Sequence, residues 1–377
     1  MRLAFIKKRF SLHGGAERYL QTLIGRLKRS GFEIHIFADR WAEEEGLIFH
    51  RAAALPLGSF LSALSFNSSA GRLAGKKIAD CVISFERTTR QDIYRAGEGC
   101  HAEWLEIRSK VEPFYKRASF RINPLHMTLL SLERKLFSKT KSIVANSEMV
   151  KGQIIRHYAV PEERITVIRN GVDLERFTPA NRDRWRSGVR TSLGVTDNTR
   201  LILLVGSGFE RKGLKTLLEA ASFLKKEDIN VLVIGKGDAR RYSALAESLG
   251  LSGRVVFTGP TGDIERYYAA ADLFVLPTLY DPFSNATLEA LSSGLPVITT
   301  RNNGAAELIT NGAEGFVVED MLDARELAGR IGESLDRLAP MGQRARSKAE
   351  AFSIETACEK FVDVIERAAQ PGGQSGV

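Results

Sequence analysis

The feature that most constrains this chain is a rhythm that occurs twice. Short apolar runs are followed by turns, many of them containing glycine, and then by longer stretches with helical spacing. In the N-terminal half the runs are Leu3 to Ile6, Glu33 to Phe37, Cys81 to Phe85, Ser142 to Ala145 and Ile165 to Arg169. In the C-terminal half they are Leu201 to Val205, Val231 to Ile234, Val255 to Thr258, Leu273 to Leu276, Pro296 to Thr300 and Gly315 to Val318. Runs without polar alternation mark strands buried on both faces, and strands separated by helices imply a parallel sheet covered on both sides. A length of 377 residues exceeds what one core usually organises. The expected fold class is therefore α/β, with two doubly wound, Rossmann-like domains and a ligand crevice at the carboxyl ends of their strands.

The expected division is an N-terminal domain at 1–172, a C-terminal domain at 173–354, and a C-terminal helix with a flexible tail at 355–377 that returns to the N-terminal domain. The sequence Asn170-Gly171-Val172-Asp173 and the polar stretch through Asn198 read as linker and hinge.

Three cysteines, Cys81, Cys100 and Cys358, show neither metal-ligand spacing nor the even count of a disulfide framework, which fits a reducing cytoplasm. The apolar run Leu3 to Ile6 is too short for a signal peptide, and no run approaches the roughly 18 residues of a membrane span. Any membrane contact is expected to be peripheral. Charge is uneven: residues 1–170 carry 29 Lys/Arg against 17 Asp/Glu, whereas residues 171–377 carry 25 against 28. The N-terminal half thus suits an anionic partner, although a merely soluble basic face is an equal reading. Nucleic acid is not expected, because charge alone supports it and no binding motif accompanies the charge.

The most informative motif is Tyr280-Asp281-Pro282-Phe283-Ser284-Asn285-Ala286-Thr287-Leu288-Glu289-Ala290-Leu291. A strand ends at Pro277, a loop carries Asp281, and a helix beginning near Ser284 offers free backbone N–H groups to an anion. A loop acid and a solvated helix acid would be the plainer reading of Asp281 and Glu289. Against it, Glu289 lies within the apolar run Ala286 to Leu291, where an unpaired carboxylate is costly. Upstream, Gly206-Ser207-Gly208-Phe209-Glu210-Arg211-Lys212-Gly213 sets two cations beside a glycine-rich turn, a combination suited to a diphosphate. The first strand–helix turn holds Gly14-Gly15, which lets backbone approach a ligand but is as often only a tight turn.

Together these motifs resemble the retaining glycosyltransferases of the GT-B fold, whose signature is two acids separated by seven residues in the context Glu-Pro-Phe-Gly…Glu-Ala…Gly-Pro-Val. Here it reads Asp281-Pro282-Phe283-Ser284…Glu289-Ala290…Gly294-Leu295-Pro296-Val297, with the first acid shortened. The resemblance implies that Asp281 binds hydroxyls of the transferred sugar and Glu289 those of the nucleotide ribose. It implies that Arg211 and Lys212 hold the diphosphate, with Phe283, Ser284 and Asn285 around it and Gly14 and Gly15 against it. Glu98, in a glycine-rich turn, matches a polar position near the sugar, with His101 as its rival. The turn Gly235 to Asp238 and Val255 to Gly259 resemble the strand ends that frame the nucleobase.

Ala4-Phe5, His13-Gly14-Gly15, Ser207 to Gly213 and Ala270-Ala271-Asp272-Leu273 also resemble the lipopolysaccharide core glucosyltransferases over nearly the whole chain. That implies UDP-glucose as donor and an inner-core heptose or a similar glycan or glycolipid as acceptor. Retention would follow front-side attack, since no second carboxylate pair remains for the anomeric carbon. No Asp-x-Asp occurs, so neither a metal nor any other cofactor is expected. Residues 104–141, with nine Lys/Arg against three acids among Trp104, Phe114, Tyr115, Phe120 and Phe137, are the candidate contact with an anionic membrane. Helices packing those aromatics inward are the rival reading. Rival activities are transfer to another surface polysaccharide and, on the same scaffold, a sugar-nucleotide epimerase or hydrolase.

Overall fold

The computed structural model describes residues 1–9, 15–41, 45–224 and 227–369, with backbone only for 15–18 and 369. Contacts divide the chain into two compact units, one formed by 1–170 with 354–377, the other by 171–353.

The first unit is built on a seven-stranded parallel sheet. Its strands are β1 (Arg2–Ile6), β2 (Glu33–Ala38), β3 (Ile48–Arg51), β4 (Cys81–Ser84), β5 (Ile93–Ala96), β6 (Ser142–Ala145) and β7 (Ile165–Val167), in the order β3-β2-β1-β4-β5-β6-β7. Leu3 to Ile6 are fully buried, as a central strand under helices on both faces requires. Two strands escaped the apolar reading for physical reasons. β3 is an edge strand with Ile48 and Phe49 exposed. β5 carries the buried Arg95, whose guanidinium stacks 4.6 Å from the Tyr19 ring centre and donates to Asn170 Oδ1 at 2.6 Å. The helix Ile354–Ala369 belongs here: Ala357, Cys358, Phe361, Val364 and Ile365 share a core with Leu20, Leu23, Ile24 and Leu27 of the helix Gly15–Arg29.

The second unit has a six-stranded parallel sheet. It comprises β8 (Arg200–Val205), β9 (Ile229–Ile234), β10 (Val255–Gly259), β11 (Leu273–Leu276), β12 (Val297–Thr300) and β13 (Gly315–Val318), in the order β10-β9-β8-β11-β12-β13. Strand order reverses between β8 and β11, which pair directly, so the loops leaving these two strands emerge side by side.

The polar stretch read as a linker is corrected by the structure. Residues 181–192 form a helix within the second unit, and its Arg190 is among the most deeply buried residues of the protein. The Arg190 guanidinium donates to Ala270 O at 3.0 Å and pairs with Asp272 at 3.2 Å. Arg186 reaches the same carboxylate at 2.6 Å, and Leu201 N–H donates to it at 2.8 Å. A polar sequence enters the core here because one buried acid receives its guanidinium groups while their apolar stems pack.

Candidate active site

The site grows from the paired loops at the carboxyl ends of β8 and β11. Gly206, directly after β8, has φ +153° and lies under the Lys212 side chain; a Cβ there would sit 2.5 Å from Lys212 Cε. Gly208 N–H donates to Lys236 O at 2.8 Å, anchoring the loop to the turn after β9. Leu279 N–H and Thr278 Oγ1 both donate to Arg211 O, at 2.8 and 2.9 Å, stitching the two loops together.

This stitching fixes three charges. Lys212 Nζ lies 2.6 Å from Asp281 Oδ2, and both side chains are about nine-tenths buried. Arg211 Nη1 lies 3.7 Å from the same oxygen, donates to Tyr280 O at 2.9 Å and remains partly exposed. Asp281 is itself held by backbone bonds to the segment after β12: its N–H donates to Asn302 O at 3.0 Å and its carbonyl accepts from Gly304 N–H at 2.8 Å.

Ser284 caps the helix Asn285–Ser292, its Oγ accepting from Thr287 N–H. Glu289, half-buried on that helix, accepts from Tyr268 O–H at 2.9 Å. Tyr268 is fully buried against Phe177 and Phe274. Burial first, then the Glu289 charge, push its phenol far above the ordinary range, so it stays a donor at physiological pH. Tyr268→Phe keeps the ring but deprives a carboxylate oxygen of its donor, and is expected to lower stability by about 1–2 kcal/mol in urea denaturation; an unchanged midpoint would show the bond to be idle.

Asn303 is a positioning residue that the sequence reading missed. Its Oδ1 accepts from Ser284 N–H and Ala305 N–H, each at 3.1 Å, while its Nδ2 donates to Thr287 and Thr299 at 3.0 Å each. One buried amide thereby ties the end of β12 to the start of the helix that follows Asp281. The only trace in the sequence is the turn-forming run Asn302-Asn303-Gly304.

The structure thus brings Arg211, Lys212 and Asp281 together and places Ser284, Asn285 and Glu289 on the adjoining cap and helix. Phe283 turns its ring into the core, leaving its peptide group as what it can offer a ligand. Gly15 opens the helix Gly15–Arg29 of the first unit, while Gly14 lies outside the described residues. Glu98 also belongs to the first unit, exposed and ion-paired with the partly buried Arg87, which holds Glu133 at 2.9 Å as well. His101 is engaged elsewhere, its Nε2 lying 3.0 Å from His126 Nδ1. Burial and the Arg87 charge lower its pKa to about 3, so its ring is neutral. Among the described residues one group has metal-ligating geometry, Glu103, Glu106 and His157, also in the first unit. The Arg156 guanidinium already lies against both carboxylates.

Two adjacent cations beside a capped helix N-terminus, with acids fixed in the loop and on the helix, can hold a diphosphate and accept hydrogen bonds from hydroxyl groups. Comparison with known proteins bears on the family and the fold. Residues 13–176 match the family Glycosyltransferase Family 4 and residues 188–351 match Glycosyl transferases group 1. The lipopolysaccharide glucosyltransferase WaaG of Escherichia coli (strain K12) is 24% identical, covering 97% of this chain and 98% of its own. A D-inositol 3-phosphate glycosyltransferase of Corynebacterium kroppenstedtii is 30% identical over 64% of this chain and 56% of its own length. The crystal structure of WaaG superposes with a TM-score of 0.82 at 23% identity, covering 96% of this chain and 99% of that one. Anabaena Alr3699/HepE in complex with UDP-glucose gives 0.72 at 19% identity, covering 97% and 100%. Family matches that together span both units, on a pair of parallel-sheet Rossmann-like units, make this chain a glycosyltransferase of the GT-B fold, with a family 4 N-terminal part and a group 1 C-terminal part.

Proposed function

We propose that this enzyme transfers glucose from UDP-glucose to a sugar of the lipopolysaccharide inner core, with retention and without a metal. The observation that carries the reading is the Lys212–Asp281 pair at the strand-order reversal, with Arg211 beside it and the capped helix Asn285–Ser292 beyond. In this reading the bond from the anomeric carbon to the diphosphate breaks while the acceptor oxygen bonds to the same face. The acceptor proton passes to the departing diphosphate. Arg211, Lys212 and the helix amides stabilise the charge growing there, Asp281 accepts from hydroxyls of the sugar, and Glu289, oriented by Tyr268, accepts from those of the ribose. Asp281 is already balanced by two cations, which supports front-side attack over a carboxylate nucleophile and metal-free chemistry over a carboxylate-held ion. The lipopolysaccharide acceptor and the donor rest on likeness to WaaG and to the UDP-glucose-bound structure.

A peripheral place on the inner face of a membrane belongs to the same proposal. Among the described residues no helix is long and apolar enough to cross a bilayer. The helix Phe114–Ile122 buries none of its residues, exposing Phe114, Tyr115 and Ile122 beside Lys116, Arg117 and Arg121.

The test is a donor screen with UDP-, ADP- and GDP-sugars in the presence of EDTA, read by thermal shift and by transfer to heptose-terminated core lipopolysaccharide. Stabilisation by UDP-glucose and a glucosylated product that survives EDTA are expected. Stabilisation without transfer would move the acceptor to another glycan or glycolipid, and loss of activity in EDTA would end the metal-free reading.

A further inference from the structure

The first unit has its own strand-order reversal, between β1 and β4, and a cationic cavity lies at the carboxyl ends of these two strands. Its volume is about 590 Å³, and it is lined by Lys7, Lys8, Arg9, Ser59, Ser62 and Glu86, among others. The backbone that presents the three cations is fixed: Lys7 N–H donates to Phe37 O at 3.1 Å, Asp39 N–H to Lys8 O at 3.1 Å, and Lys8 N–H to Glu86 Oε1 at 3.1 Å. Lys7 Nζ lies 3.6 Å from the Glu86 carboxylate, and among the described lining residues Glu86 is the one acid against three cations. Burial raises the Glu86 pKa, and the Lys7 charge opposes that rise.

The opposite wall is the first turn of the helix Gly58–Gly75. It has no side-chain cap and no acid in its first turn, so its leading N–H groups and the hydroxyls of Ser59 and Ser62 add donors to the cations. Every group but Glu86 favours an anion, and serine hydroxyls with backbone amides suit the oxygens of a phosphate.

We propose that this cavity binds a phosphoryl group carried by the acceptor, so that Lys8, Arg9, Ser59 and Ser62 select a phosphorylated glycan. The proposal rests on the glycosyltransferase reading above for the word acceptor, and on the cavity alone for the anion. It gives the surplus of positive charge in the N-terminal half a chemical purpose at one place.

Two measurements separate these layers. In the first, glycerol 1-phosphate, a phosphomonoester with neither nucleoside nor glycosyl part, is titrated into the full chain by calorimetry. The double variant Lys8→Gln/Arg9→Gln is expected to bind at least about tenfold more weakly, the loss of one charge-assisted contact or more. The exposed control pair Lys76→Gln/Lys77→Gln is expected to bind as the unaltered chain does. Equal binding by the Lys8/Arg9 variant, or equal loss in the control pair, overturns the site. In the second, core lipopolysaccharide is offered as acceptor before and after removal of its phosphates with hydrofluoric acid. Acceptor KM is expected to rise about tenfold on dephosphorylation for the unaltered chain and to be insensitive to it in the double variant. Equal KM values for the unaltered chain overturn acceptor selection. Absence of transfer to either form counts against the inner-core acceptor instead, while the phosphomonoester titration still decides the site.

Discussion

Lys212→Ala is expected to lower kcat/KM about a thousandfold and to destabilise the protein by roughly 3 kcal/mol, two losses with separate causes. Stability falls because the substitution strands the Asp281 carboxylate at one-tenth exposure, with Arg211 at 3.7 Å the one remaining cation among the described residues. Activity falls because the proposed diphosphate loses the cation that lies closest to Asp281, the acid proposed to bind the sugar. The double variant Lys212→Ala/Asp281→Ala disentangles them, since removing both charges leaves a small cavity rather than an orphaned ion. Its urea midpoint is expected to recover most of the lost stability while kcat/KM stays about a thousandfold down. If activity returned together with stability, the pair would be a structural bond only, and the diphosphate would have to be held by other groups.

How much of this was legible in the chain follows from how each residue is held. The buried central strands announce themselves because parallel sheets covered on both faces demand apolar residues at every position, as Leu201 to Leu204 show. β5 was silent because its buried position 95 is an arginine, stabilised by the Tyr19 ring and Asn170, partners that adjoin it only in the folded chain. The helix Asn181–Ser192 reads as a linker in the sequence for the same reason: Arg190 enters the core to meet Asp272, 82 residues away. Within the site, the sequence could mark Arg211, Lys212, Asp281 and Glu289 through their neighbours in the chain. The pairing of Lys212 with Asp281, the donor that Tyr268 supplies to Glu289, and the brace of Asn303 join residues from separate elements, and no local pattern encodes such contacts. The 114–122 segment shows the reverse limit. Its basic and aromatic composition was plain, but only the structure distinguishes exposed Phe114 and Tyr115 from the inward packing that the same composition allows.

Gly213→Ala should be among the most damaging single-atom additions in the second unit, and the reason lies in the same stitching of loops. Gly213 stands between Lys212 and the helix Leu214–Phe223 with φ +75°, and a Cβ there would fall 1.8 Å from Pro277 O. A left-handed alanine alone costs only about 1 kcal/mol, but that contact cannot be relieved by a side-chain rotation, because the obstacle is backbone at the end of β11. Relief requires the loops after β8 and β11 to separate, which breaks the bonds from Leu279 N–H and Thr278 Oγ1 to Arg211 O. The expected cost is roughly 3 kcal/mol or more in stability, with kcat/KM down at least about a hundredfold because Lys212 and Asp281 are carried apart. Gly208→Ala is the matched control. Gly208 has nearly the same φ, +78°, in the same loop, yet an added Cβ meets nothing within 4 Å. It should cost only the roughly 1 kcal/mol of backbone strain and leave turnover near that of the unaltered enzyme. Equal damage from the two substitutions would mean that conformational strain, not the approach of the two loops, governs the site, and the contact between Gly213 and Pro277 would lose its part in holding Lys212 against Asp281.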